Sequence, residues 1–434
     1  MSLPDPLRLR SPESFDISLR PPGSKSLSNR ALLFAALASG RSRLRGLLDA
    51  EDTQHMRACM EALGIASSTE ADDTLVVDGQ GGRLQSPAGT VPTLEVGTAG
   101  TVARLLGAAL AASPVHVVLD GSERMRVRPM AQLLDALSEQ GARLTPRGEA
   151  GFLPVEIGPD GGPLRGGDIV LSRPASSQIV SGLVVSATLA DAPSRIILEQ
   201  GTPARPYVDM TLTVLEAFGG RARWENENEI TVEPATLTGT EYPVEPDASA
   251  ASYPLALAAL YGSRCTIEGL GHTSMQGDVR FADVLGRMGA RVEQNATETT
   301  VQGVGPLRGG DFDLSDTPDM TLTLAALAVH ATGTTRIRGV EILRHHESDR
   351  LAAGATELRK LGAEVRELQD GLDIDPPASG PRPGVPIDTY RDHRMAMAFS
   401  VVGDVMIRDP GCVAKTWPEY FSVLRKLGMV VVSA

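Results

Sequence analysis

Six times along the chain an apolar, helix-periodic run closes on a glycine and gives way to a short run of strand character. The closing segments are Met60–Gly64, Leu137–Gly141, Leu215–Gly219, Leu285–Gly289, Leu358–Gly362 and Leu424–Gly428. Their glycines recur every 66 to 78 residues, so six units account for the whole chain. A glycine at that place supplies the left-handed residue that ends a helix and turns the backbone into a strand. Within a unit the pattern alternates. In the third, 169–171, 194–199 and 229–232 read as strands, and 178–189 and 209–218 read as helices. Strands alternating with helices predict an α/β fold.

Units of this size exceed solenoid repeats and need a shared core, so three per domain are expected. Two proline-marked breaks set the boundaries. Pro21-Pro22 follows a strand pattern over 15–19, and Glu241-Tyr-Pro-Val-Glu-Pro246 interrupts the middle of the chain. The expectation is one domain over 23–243 and a second made of 1–22 plus 244–434, which the N-terminal strand joins. The chain would then cross twice, with a hinge near 21–23 and 242–245.

The polar residues gather at predicted helix starts. Pro22-Gly-Ser-Lys-Ser-Leu-Ser-Asn-Arg30 puts two N-cap candidates, Ser24 and Ser26, before an Ala/Leu run. Open backbone N–H groups, the positive end of the helix and Lys25 would meet there, with Arg30 one turn beyond Ser26. Such a place suits phosphate or carboxylate; the glycine spacing of a nucleotide P-loop is absent. Comparable clusters open other helices: Gly97–Arg104, Ser176-Ser177-Gln178, Pro318-Asp319, Arg344–Arg350, Asp392-His393-Arg394 and Lys415-Thr-Trp-Pro418. Each alone is an ordinary cap. If the units share one orientation, these starts face one inter-domain cleft holding Lys25, Arg30, Arg104, Arg124, Arg350, Arg394 and Lys415. The acids among them are Asp319 and Glu347, and a carboxylate set among anion-binding cations is poised for proton transfer.

The overall charge changes what such a cleft can hold. With 41 Lys+Arg against 54 Asp+Glu the net charge is −13. Nucleic acid and anionic membranes are therefore poor partners, and small anions must be met by locally gathered cations. The core must rest on aliphatic residues, since aromatics are 4% of the chain. Cys59, Cys265 and Cys412 lie far apart, which fits a reduced compartment rather than a disulfide framework or zinc site. Met1–Arg20 has no apolar signal core, and no run approaches the roughly 20 apolar residues of a membrane span. A cytoplasmic protein without metal or organic cofactor is expected, because neither a metal-ligand constellation nor a dinucleotide fingerprint is present.

At these residues the chain resembles the 5-enolpyruvylshikimate-3-phosphate synthases, the enolpyruvyl transferases of the shikimate pathway. The matching segments are 22–30, 97–104 (Gly-Thr-Ala-Gly-Thr-Val-Ala-Arg), 124–129 (Arg-Met-Arg-Val-Arg-Pro), 176–178, 205–211 and 247–253. They continue at 274–283, 318–321, 347–350, 392–397 and 414–420, in the family's order over nearly the whole chain. The resemblance implies two domains, each of three βαβαββ repeats with helices inside and sheets outside, closing over substrate. It implies transfer of the enolpyruvyl group of phosphoenolpyruvate to the 5-hydroxyl of shikimate 3-phosphate, by addition and elimination, with release of phosphate and no cofactor. Carried over by position, Lys25, Gly100, Arg124, Gln178, Arg350, Arg394 and Lys415 would hold phosphoenolpyruvate. Lys25, Ser26, Arg30, Ser176, Ser177, Gln178 and Asp319 would hold shikimate 3-phosphate. Asp319 would be the base on the 5-hydroxyl, and Glu347, Lys25 and Lys415 would handle the remaining protons. A monomer is expected.

The chain departs from the family pattern at Thr98, Ala204, Ile342 and His346, where Asn, Ser, Asn and Lys are usual. The last three usually touch the shikimate phosphate. Ser176 and Ser177 are therefore expected to carry it, helped by His346 when protonated. The related transferase acting on UDP-N-acetylglucosamine is disfavoured, because its loop cysteine has no counterpart in Asp120–Arg126. The charge opposes the RNA 3′-phosphate cyclase group. A non-catalytic anion binder of the same fold would gain nothing from Asp319 and Glu347.

Overall fold

One sheet pattern repeats through the chain. A first strand runs parallel to a second across a buried helix, and a hairpin then adds one strand antiparallel to the second and, beyond it, that strand's own antiparallel partner. In residues 167–233, Gly167–Leu171 pairs in parallel with Ser194–Leu198, which pairs antiparallel with Glu229–Glu233 and through it with Arg221–Asn226. The computed structural model describes residues 3–158 and 163–431, so the extreme ends of the expected second domain, 1–2 and 432–434, lie outside the described residues. Among the described residues five sheets have this four-stranded order. A sixth has Val385–Ile387 parallel to Val405–Ile407, with the N-terminal strand Leu7–Arg8 antiparallel on its other side.

Contacts divide the chain into two units, Gly23–Glu245 and Met1–Pro22 with Pro246–Ala434. The strands flanking the breaks are exchanged in sequence order. Asp16–Leu19 pairs in parallel with Arg264–Glu268 of its own unit, and Glu241–Pro243 with Ser39–Arg45 of the other. Hydrogen bonds fasten the two chain passages on both sides of the crossing: Asp247 N–H to Pro22 O in one unit and Ser24 N–H to Glu245 O in the other, both 2.8 Å.

The helix following each first strand is the one that reaches the middle of its unit. Gly100–Ala111, Thr321–Ala328 and His393–Ser400 are buried at every position. Lys25–Leu37 is buried from Leu27 onward, Ser177–Thr188 everywhere but Gln178, and Ala248–Leu260 up to Ala259. A helix that is apolar all round must sit inside. Their alanines and glycines let backbones approach closely: a Cβ on Gly182 would stand 3.0 Å from Arg104 O of the neighbouring helix. Helices such as Glu51–Ala62 and Arg350–Lys360 are amphipathic and bury one face. Because each central helix is buried to within a residue or two of its N-terminus, the polar residues of its first turn are held by the surrounding protein. Among the described residues no helix is long and apolar enough to cross a membrane.

The start of the unit Gly23–Glu245 has no room for a side chain. A Cβ on Gly23 would lie 2.0 Å from Gly46 O and 2.9 Å from Leu48 N. Gly23→Ala is expected to cost about 1–3 kcal/mol through forced backbone displacement. Gly89→Ala, with φ +78° and nothing within 4 Å of the new Cβ, should cost only about 1 kcal/mol from the left-handed backbone. Urea unfolding midpoints of the two variants test the difference; equal midpoints would contradict the packing account.

Candidate active site

In the unit containing 246–434 the functional side chains are organised by one guanidinium. Arg350 opens the helix Arg350–Lys360, whose cap Asp349 accepts the Ala352 N–H at 3.0 Å. Arg350 is buried, and its five N–H donors are all engaged. Nε donates to Asp392 Oδ2 at 2.8 Å, and Nη2 to Asp392 Oδ1 at 3.1 Å and Glu347 Oε2 at 3.0 Å. Nη1 donates to Asp319 Oδ1 at 2.9 Å and lies 3.0 Å from His346 Nδ1. Burial alone would pull the guanidinium below its ordinary range; Asp392, Glu347 and Asp319 together hold it above.

Asp392 is the fixed member of this group. It is fully buried, caps the helix His393–Ser400 by accepting the Arg394 N–H at 3.0 Å, and accepts Ser348 Oγ at 3.0 Å. The sequence marks it as an ordinary cap; its second role, a two-point seat for Arg350, has no sequence signal of its own. Asp319 sits in the single turn Pro318–Met320 before the buried helix Thr321–Ala328 and also accepts Arg394 Nη2 at 2.6 Å. Arg394 Nη1 donates to Tyr253 Oη at 3.4 Å, and burial pushes the Tyr253 phenol up to about 12. Glu347 lies 3.7 Å from Lys415 Nζ, which is itself buried. Asp319, His346, Glu347, Arg350, Arg394 and Lys415 are thus brought together, along with Asp392 and Tyr253.

Two departures from the family pattern find their surroundings here. The Arg350 guanidinium must donate, so His346 Nδ1 accepts and the proton of the neutral ring belongs on Nε2. His346 Nδ1 faces Asp319 Oδ1 at 4.0 Å as well as Arg350 Nη1, so the ring stands between an anion and a cation. Ile342 packs against the apolar core of its unit, which explains how an apolar residue is accommodated at that place.

In the unit Gly23–Glu245, Ser24 caps the helix Lys25–Leu37 by accepting the Leu27 N–H at 3.4 Å. Lys25 stands in its first turn, 3.6 Å from the buried Asp52, a partner the sequence reading did not single out. Ser26 is half-buried beside it. Arg30 is turned into the protein. It donates to Thr211 Oγ1 at 2.7 Å, Ser26 O at 2.9 Å, Tyr207 O at 2.7 Å and Ser181 Oγ at 3.4 Å. Burial lowers its guanidinium to about 10, still charged at neutral pH. Three of its five N–H groups hold helices together and a fourth bonds Ser26 O of its own helix, which leaves one Nη1 donor for any ligand.

A second group forms around Gly100. Arg104 Nη1 donates to Gln178 Oε1 at 2.9 Å and Nη2 to Pro129 O at 2.8 Å, and Gln178 Nε2 lies 3.3 Å from Thr101 Oγ1. Ser176 caps the helix Ser177–Thr188 by accepting the Gln178 N–H at 3.2 Å, and Ser177 is buried. A Cβ on Gly100 would meet Arg128 Nη2 at 2.6 Å and Arg104 Nη1 at 2.8 Å, so only glycine lets both guanidinium groups cross this helix start. The arginine against Gly100 is therefore Arg128, which also donates to Thr98 O at 2.9 Å. The expectation named Arg124, which stands a turn earlier in Glu123–Arg126. Three arginines spaced by two residues precede Pro129, and spacing alone does not choose among them. At the departure Ala204, the residue caps the helix Arg205–Ala217 with a left-handed φ of 52° and has no hydroxyl to offer.

The Asp392–Arg350 pair makes a direct prediction. Asp392→Ala removes two of five acceptors from a buried cation and should destabilise its unit by about 3–5 kcal/mol. Adding Arg350→Met should restore part of that loss, because no uncompensated charge remains. Urea unfolding of the single and double variants measures both; a double variant less stable than Asp392→Ala would contradict the assignment.

Comparison with known proteins gives a consistent picture. The profile of the family described as EPSP synthase (3-phosphoshikimate 1-carboxyvinyltransferase) matches residues 9–424. The chain is similar to the 3-phosphoshikimate 1-carboxyvinyltransferase of Erwinia tasmaniensis, with 41% identity over 98% of this chain and 99% of that one. It is similar to the Sulfurovum enzyme of the same name at 42% identity, over 94% and 95% of the two chains. Among solved structures, an EPSP synthase from Acinetobacter baumannii superposes with a TM-score of 0.80 at 27% identity, covering 98% of both chains. The enolpyruvyl transferase NikO of Streptomyces tendae, at 20% identity and a TM-score of 0.78 over 98% of both chains, shares the fold.

Proposed function

From the premise that the chain belongs to the EPSP synthase family, we propose how its residues divide the labour of the reaction. The enzyme is a 3-phosphoshikimate 1-carboxyvinyltransferase of the shikimate pathway. It moves the enolpyruvyl group of phosphoenolpyruvate to the 5-hydroxyl of shikimate 3-phosphate and releases phosphate. Addition forms a bond from the 5-oxygen to C2 of phosphoenolpyruvate while a proton goes to its methylene carbon. Elimination then removes a proton from that methyl group as phosphate leaves.

The observation that carries our assignment is the saturation of Arg350. Its anionic partners in the free protein are Asp319, Glu347 and Asp392. Phosphoenolpyruvate cannot take N–H groups from Arg350 unless an existing acceptor gives way or shares. Asp392 is fully buried and tied to a helix start, so the acceptors that yield are Asp319 and Glu347. The substrate carboxylate and phosphate thus replace protein carboxylates on Arg350, Arg394 and Lys415. Relieved of its arginines, Asp319 becomes a stronger base toward the 5-hydroxyl. Glu347, released from Arg350 but still beside Lys415, exchanges a proton with the methylene carbon.

From the other unit, Lys25, Arg128 and Gln178, with the open helix start at Gly100, supply the remaining contacts to phosphoenolpyruvate. Arg128 takes the place first expected for Arg124. Lys25, Ser26, Ser176, Ser177 and the one open donor of Arg30 serve shikimate 3-phosphate. With Ala204 and Ile342 offering no polar group, the two serines carry most of its phosphate, and His346 contributes its neutral Nε2–H. Both units supply residues for one turnover under this reading. The enzyme acts as a monomer in the cytoplasm.

Purified protein should release phosphate only when both substrates are present. Asp319→Asn and Glu347→Gln should each lower kcat by about 10²–10⁴ while still binding both substrates. Phosphate-release assays with calorimetric binding check this. Near-normal kcat in either variant would remove that residue from proton transfer, and binding of both substrates by the unaltered protein without phosphate release would refute the assignment of activity.

A further inference from the structure

The turn that delivers Asp392 to Arg350 is built from residues that do not favour it. Tyr390 and Arg391 have φ of 55° and 57°, the left-handed region, in succession and without a glycine. The turn closes with Asp392 N–H to Thr389 O at 2.8 Å. Left-handed pairs of ordinary residues persist only where the surroundings over-determine them. The surroundings here are a second charged group on the helix Arg350–Lys360.

Glu357 lies seven residues after Arg350, two helical turns and about 10 Å along the same face. It is fully buried, and its carboxylate accepts from the same segment that Arg350 grips. Glu357 Oε1 accepts Tyr390 Oη at 2.8 Å, and Oε2 accepts Asp388 N–H at 3.2 Å. Lys360 balances the charge, reaching Glu357 at 2.8 Å and Asp388 Oδ2 at 2.6 Å, while Arg408 holds Asp388 Oδ1 at 2.8 Å. Residues 388–392 are thus fastened at both ends to one helix, by Glu357 at one end and Arg350 at the other.

We propose that Glu357 and Tyr390 are positioning residues for the reaction: they force the turn at 390–391 and so hold Asp392 where it aligns Arg350 for the anionic substrate. Neither touches the reacting groups. The phenol–carboxylate bond fixes Tyr390, the turn fixes Asp392, and Asp392 fixes two donors of Arg350 and the first turn of His393–Ser400, which carries Arg394. The inference rests on the role given above to Arg350 and Arg394 in holding phosphoenolpyruvate.

Tyr390→Phe keeps the ring and removes only the hydroxyl; Glu357→Gln keeps the shape and removes the charge. Both should raise KM for phosphoenolpyruvate about tenfold and leave KM for shikimate 3-phosphate within twofold, with a melting temperature close to that of the unaltered protein. Arg391→Gly, which adopts its φ without strain, should keep unaltered kinetics. Hydrogen exchange on the ligand-free protein gives a readout independent of activity. The Arg394 amide, which donates to Asp392, should exchange about tenfold faster in Tyr390→Phe. Unchanged exchange there overturns the positioning role whatever the kinetics show. So does an unchanged KM for phosphoenolpyruvate in both variants, or an equal rise in both KM values with a lowered melting temperature. Faster exchange in a protein whose unaltered form releases no phosphate supports the positioning and refutes the functional reading instead.

Discussion

A buried arginine with every donor occupied is the constraint on which the site in residues 246–434 depends. Arg350 cannot be left without acceptors, because an uncompensated guanidinium in the interior costs several kcal/mol. The protein meets this need with one permanent partner and three neighbouring acceptors. Asp392 is locked by its cap and by Ser348. Asp319 comes from the turn before another helix, Glu347 and His346 from the segment leading into Arg350's own helix, and under our proposal these are the partners that exchange with a ligand. Under our proposal a substrate carrying carboxylate and phosphate is received by groups already arranged for anions, and the carboxylates it displaces are those assigned as proton carriers. Preorganisation and release of the base follow from one interaction.

The fold supplies these helix starts by repetition. Each sheet sends a buried helix through the middle of its unit, and that helix begins with the polar residues of the site. Because the helices are buried on nearly every side, their first turns are held by the surrounding protein. Strain and close packing appear where the demand is greatest: Gly100 under two guanidinium groups, and Tyr390-Arg391 bent into the left-handed region before Asp392. In the other unit Arg30 shows the opposite use of a buried cation. Three of its donors tie Lys25–Leu37 to its neighbours and a fourth bonds Ser26 O within the same helix, so most of its charge serves the fold.

Much of the architecture was legible because it rests on local signals. Helix-ending glycines at regular intervals marked the units, and the caps Ser24, Ser176 and Asp392 marked helix starts within a residue or two. The sequence reading opened Arg205–Ala217 late, at Asp209, because its first turn follows a left-handed Ala204 and contains Pro206 rather than a capping side chain. What stayed hidden depends on distance in sequence. Asp52 beside Lys25, Tyr253 beside Arg394 and Glu357 beneath Tyr390 are ordinary residues until the chain folds. Arg128 against Gly100 was not singled out for a different reason, since three arginines at equal spacing are equivalent in one dimension and only the crossing over Gly100 separates them. His346 was read by its charge, while its Nδ1 stands between Arg350 and Asp319.

The central claim is that phosphoenolpyruvate takes its place on Arg350 from protein carboxylates while Asp392 keeps its own. A crystal structure of the enzyme with phosphoenolpyruvate and shikimate 3-phosphate bound, trapped with a catalytically impaired Lys25 variant, tests this most directly. The account predicts Arg350 N–H groups directed at substrate oxygens, with Glu347 and Asp319 withdrawn from that guanidinium and both Asp392 contacts intact. Substrate bound elsewhere, with the Arg350 bonds to Asp319 and Glu347 unbroken, would contradict it.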